Sequence, residues 1–142
     1  MLSEIDRDAI RAGAMVATAI ALPAGVAQLV LDDRFGAQAS APLGLAILLA
    51  FAAGGYQAGM RSRARPLTDG ALSAMVSFAA IQALFLVVGA LGVGDDQSIQ
   101  PAAIVFSGML ATSCGIVGGQ VGATRRRKAD QQTSGNEPKE WQ

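Results

Sequence analysis

The sequence predicts an all-α fold, a four-helix transmembrane bundle built of two in-out-in hairpins, and three observations predict it. Hydrophobic residues make up 51% of the chain and charged ones only 15%, against about a quarter charged in an ordinary soluble domain. The formal net charge is zero, yet the charges collect in a few short segments and leave four long apolar runs between them. When those runs are threaded through a membrane, ten of the eleven lysines and arginines fall on one side.

The runs are 10–31, 43–60, 71–93 and 102–123. Each is close to the roughly 20 residues that a helix needs to cross about 30 Å of hydrocarbon, and only Arg11, at the first edge, is charged. A soluble bundle would keep a polar face at helical period, and these runs keep none. The chain therefore divides into an N-terminal cytoplasmic segment 1–9, a transmembrane domain 10–123, and a tail 124–142 that is basic and then disordered. The tail is polar from Ala129 onward and is broken by Gly135 and Pro138.

Orientation follows from the cations. Arg7, Arg11, Arg61, Arg63, Arg65, Arg125, Arg126, Arg127, Lys128 and Lys139 share one side and Arg34 lies on the other, which puts both termini in the cytoplasm. Asp32 and Asp33 mark the first outward turn, Asp95 and Asp96 the second. Ala37-Gln38-Ala39 resembles a signal-peptidase site. Against cleavage stand a leader containing Glu4, Asp6 and Asp8 and an apolar run longer than a usual signal core. Pro23 is expected to bend the first span, because a proline frees the carbonyl four residues earlier.

Small residues recur four apart in three of the spans. Ser107, Ala111, Gly115, Gly119 and Ala123 form one row with Gly118 and Gly122 beside it; Ala46, Ala50, Gly54 and Ala58 form another beside Gly55 and Gly59; the first span has Gly13, Ala17, Ala21 and Gly25. In lipid, helix association draws on van der Waals contact at close backbone approach. Gly54, Gly55, Gly59, Gly115, Gly118, Gly119 and Gly122 are thus the candidate helix-packing residues, either inside one bundle or, on a row left facing lipid, between copies or against another membrane protein. Phe78, Phe85 and Phe106 supply bulk, lipid-facing or gap-filling.

The hairpins are a candidate parallel internal repeat. GGYQAGMR at 54–61 and GGQVGATR at 118–125 superpose without a gap, each a Gly pair followed by a basic cluster, and Pro42 and Pro101 open the second helix of each half. Convergence gives the same pattern wherever an inward-running helix ends in small residues and then arginines. In the loop between the halves, Pro66 ends the second helix and Thr68 or Asp69 is suited to cap the third. The alternative pairs Asp69 with a loop arginine or with one of 125–128. Arg61, Arg63, Arg65, Arg125, Arg126, Arg127 and Lys128 are candidate contacts for anionic lipid, which attracts each such cation by about 1 kcal/mol near the surface, although topology alone also accounts for them.

Polar residues within the spans are mild. Gln82 is the deepest strongly polar side chain, expected to bond across helices or, in the rival reading, to line a small polar path. No ionisable residue lies deep in any run, which disfavours a proton-coupled transporter. The chain has no histidine and one cysteine, Cys114. Cys114 and the serines thus have no histidine and no intramembrane carboxylate to activate them, and no ordinary Cys/His metal site can form; neither enzyme, cofactor nor nucleic-acid partner is expected.

The Gly54-Gly55 helix end, the arginine loop and the restart Pro66-Leu67-Thr68-Asp69-Gly70-Ala71-Leu72 resemble the small four-span integral membrane proteins of unknown function found in actinobacteria and other Gram-positive bacteria. The resemblance covers the four-span body and not the tail. It implies a four-helix membrane unit in the bacterial plasma membrane and carries over no functional residue. The expected role is a structural or accessory subunit that works through helix association, with itself or another membrane protein. A small-solute channel or transporter formed on oligomerisation is the alternative.

Overall fold

The computed structural model describes residues 6–35, 37–90 and 101–135. Four helices account for nearly all of them, α1 (Arg7–Phe35), α2 (Ala37–Arg61), α3 (Pro66–Ala90) and α4 (Pro101–Gly135). Each contains a stretch long and apolar enough to cross a membrane: Arg7–Gln28, Pro42–Arg61, Pro66–Ala90 and Pro101–Thr133.

Helix ends depart from the sequence reading for identifiable reasons. Asp6 caps α1, its Oδ1 accepting the Ala9 N–H at 3.2 Å, so the helix starts before the apolar run does. α2 closes at Arg61, and Pro66 opens α3 instead of ending α2. Proline suits that first helical position, because its missing N–H would have had no partner there. Thr68 and Asp69 consequently lie inside the first turn of α3 and cap nothing; the Asp69 N–H bonds to the Arg65 carbonyl at 3.0 Å, while both carboxylate oxygens stay without a hydrogen bond. Pro42 lies within α2, whereas Pro101 does open α4. The stretch 129–135 is helical, not disordered: Thr133 Oγ1 donates to the Ala129 carbonyl at 3.1 Å and Arg126 reaches Asp130 at 3.9 Å. Residues 91–93 of the third run, Asp95, Asp96 and the tail beyond 135 lie outside the described residues.

Contacts give the helix directions. Gly13 adjoins Ser73, Ser77 Oγ donates to the Ala14 carbonyl at 3.1 Å, and Gly25 meets Phe85, so α1 and α3 run parallel. Gly55 lies on Gly115 and Gly59 on Gly119, so α2 and α4 also run parallel. The two pairs oppose each other, since Ala17 meets Gly54 where Gly13 meets Ala58, and Gly119 meets Pro66 where Gly108 meets Phe78. α2 and α3 touch across the centre; among the described residues α1 and α4 do not touch. The C-terminus of α2, the N-termini of α1 and α3 and the 125–128 cluster therefore share one end of the bundle.

The core changes character along its length. At the basic end backbone meets backbone: a Cβ built on Gly70 would lie 2.6 Å from the Gly115 carbonyl oxygen, and one on Gly119 would lie 2.6 Å from that of Pro66. Further away the helices part and side chains fill the gap. Phe78 packs over Gly108 and Phe85 over Gly25; Phe51 meets Phe78 edge to face at 6.3 Å beside the buried Ile81. Phe78 and Phe85 are thus gap-fillers, and Phe106 is exposed.

Candidate functional site

The glycines set the geometry. Gly118 and Gly122 lie against the carbonyls of Ala52 and Tyr56, Gly54 against Ala17 and the Gly13 carbonyl, and Gly115 and Gly119 against α2 and α3 at once. All seven candidate packing glycines are buried inside the single chain, where a missing Cβ lets backbones close to van der Waals contact. They join α2 to α1 through Gly54 and α2, α3 and α4 to one another through the rest, drawing the helices together at the basic end.

That closure buries a polar lane on α3. Asp69, Ser73 and Ser77 recur four apart on the face turned inward, and all three are fully or almost fully buried. Ser73 donates to the Gly70 carbonyl at 2.9 Å; Ser77 is placed to donate to Ser73 O at 2.8 Å or across to Ala14 O at 3.1 Å. Asp69 has no such partner for either oxygen, and neither does the hydroxyl of buried Ser62 just past α2. Removing a carboxylate from water costs several kcal/mol unless a cation or donors replace the water. Asp69 is accordingly a costly buried group, and it lies at the start of the apolar stretch that begins at Pro66. It stands in the first turn of that stretch, at its edge and not deep within it.

Gln82 is half-buried and forms no hydrogen bond among the described residues. Its neighbours on α3 at 83, 84, 86 and 87 are exposed, so most of this part of the helix lies on the outer surface of the bundle, past the buried polar lane.

The basic cluster splits into two groups. Arg126 Nη1 donates to the Ser62 carbonyl at 2.6 Å, and Arg125 Nη1 donates to the Tyr56 hydroxyl at 3.3 Å. The Arg126 guanidinium on the Ser62 carbonyl, one residue past α2, satisfies an acceptor that the helix end leaves open and meets the negative end of its dipole. Arg61, Arg63, Arg127 and Lys128 are exposed, with no hydrogen bond or ion pair among the described residues. Arg65 is exposed but does have a polar partner.

A groove of about 610 Å³ opens between α1 and α3, with Arg7 and Arg11 at the basic end and apolar walls running to Ala19 and Ala80. Its length along α1, from residue 7 to 19, is roughly 18 Å at 1.5 Å per residue. Comparison with known proteins returns no matching family model, no matching curated protein and no matching solved structure.

Proposed function

We propose that the chain is a structural or accessory subunit of the bacterial plasma membrane, its two helix pairs crossing as in-out-in hairpins with both termini cytoplasmic. The observation that carries this reading is the reach of α4. Its 35 residues extend about 52 Å, well beyond the roughly 30 Å of a hydrocarbon core. The excess is an exposed polar helix past the Arg126 contact with Ser62. Such an arm on a bundle sealed by glycine contacts suits attachment to a second copy or to another membrane protein. Helices α2 and α4 run parallel, as the second helices of a duplicated hairpin would. Gly55 meets Gly115 and Gly59 meets Gly119, however, so the repeat-equivalent Gly pairs do not face each other, and α2 touches α3 while, among the described residues, α1 and α4 stay apart.

A photo-crosslinker at Gln131, an exposed arm position, tests the reading in intact membranes. A discrete product of doubled mass, or one containing a second membrane protein, is expected. Absence of any discrete product, from Gln131 and from exposed Val117 on the outer face of α4, would dismiss the subunit role.

The alternative, a small-solute channel or transporter formed on oligomerisation, draws support from Asp69 with Ser73 and Ser77 instead of from Gln82. Cation flux in proteoliposomes that disappears in correctly inserted Asp69→Asn would favour it over the subunit.

A further inference from the structure

We propose that the groove between α1 and α3 is a binding site for one anionic phospholipid, with an acyl chain along its walls and the phosphate between Arg7 and Arg11. The proposal rests on the membrane placement put forward above, and not on the subunit role.

Shape and charge point the same way. The groove is apolar along its walls and opens to the surface of the bundle. Its length of roughly 18 Å is close to half of the roughly 30 Å hydrocarbon core, the depth of one leaflet. Ser77, at its floor, spends its hydroxyl on backbone carbonyls, so little in the walls competes with an alkyl chain. Arg7 and Arg11 sit one turn apart on α1 at the end where a head group would lie. Both are exposed, and neither pairs with a carboxylate among the described residues. Asp6 is turned onto the Ala9 N–H instead. The parallel helices α1 and α3 both begin at this end, adding two positive helix ends to the two guanidinium groups.

A second copy of this chain is the rival occupant. Packed in the same orientation, it would bring its own Arg61, Arg63, Arg127 and Lys128 to the membrane surface that already holds Arg7 and Arg11. Like charges at that surface disfavour it, and a phosphate there is favoured.

Native mass spectrometry of the full chain in mild detergent, titrated with phosphatidylglycerol or with zwitterionic phosphatidylcholine, tests the proposal. The chain should retain one phosphatidylglycerol in preference to the zwitterionic lipid. Arg7→Gln with Arg11→Gln should weaken that retention by about fivefold for each arginine removed, and Ala80→Phe, at an exposed groove position, should weaken it without any change of charge. Arg63→Gln with Arg127→Gln, off the groove, should leave it nearly unchanged. Equal weakening by the two double variants would reduce the effect to diffuse attraction and overturn the site. So would equal retention of both lipids, or a species of two chains that Ala80→Phe abolishes. A chain that alkaline washing strips from membranes would instead remove the membrane placement itself, and the site with it.

Discussion

Gly55 of α2 and Gly115 of α4 meet so closely that a methyl group on the first would fall on the carbonyl of the second. Only a shift of one helix would admit it. Gly55→Ala should therefore destabilise the detergent-solubilised protein by about 1–3 kcal/mol, the usual cost of overpacking, and Gly119→Leu by more. Gly44 supplies the control, since a Cβ there meets nothing within 4 Å. Gly44→Ala should be neutral or gain up to about 1 kcal/mol from helix propensity. Thermal unfolding of the three variants decides it, and equal effects at Gly55 and Gly44 would contradict the close approach.

The two parts of the basic cluster should separate in the same assay. Arg126→Ala removes a charged donor from the Ser62 carbonyl and should cost about 1 kcal/mol, discounted from the usual 1.5–3 for a charged hydrogen bond because the side chain is partly solvated. Arg127, exposed and without a described partner, should tolerate alanine within about 0.5 kcal/mol. Similar losses at both positions would mean that the cluster acts by total charge and not by capping.

Topology predicts the placement of reporters. A reporter joined after Met60 or after Ala129 should be active as a cytoplasmic fusion, and one inserted within 36–41 as an external fusion. The 36–41 result is the decisive one, because a cytoplasmic Gly36 leaves α1 and α2 without a membrane between their ends.

Asp69 should cost stability in the absence of a bound cation. Replacing it by the near-isosteric Asp69→Asn removes a buried carboxyl group that has no hydrogen bond and should stabilise the protein by about 1 kcal/mol, seen as a higher unfolding midpoint. A lower midpoint would show that the carboxylate holds a stabilising ligand in the membrane.

How much of this was legible in the sequence depended on whether neighbours mattered. The four helices were legible, because apolar length and the placement of charge belong to each run alone. The start of α3 was misread, because Pro66 ends one helix or opens the next equally well until the chain geometry is known. The extension of α4 was missed for a related reason: Arg125 to Thr133 is polar enough to pass for a loose tail, but it continues a helix already nucleated. Asp69 was the largest omission. Its place beside a loop suggested a cap, and its burial arises only when α3 packs against its neighbours, with Gly13 of α1 meeting Ser73 on the same face. The one available signal was the spacing of Asp69, Ser73 and Ser77, four apart on a helix rich in glycine and alanine.

Gln82 and Ser77 provide the sharpest contrast between polarity in sequence and function in structure. Gln82 is the more polar side chain, yet it is half-buried and unbonded among the described residues. Ser77 is buried and placed to reach the Ala14 carbonyl on α1. An interhelical hydrogen bond in a membrane averages about 0.6 kcal/mol by double-mutant cycles, so Ser77→Ala should lose roughly that amount. Gln82→Leu should lose nothing, because no bond is broken and a leucine is better solvated by lipid. The pair is measured by unfolding in the same detergent, where the order of the two effects matters more than their size. If Gln82→Leu proves the more damaging, its amide has a partner in the membrane, and the polar lane on α3 extends past Ser77 toward the far end of the bundle.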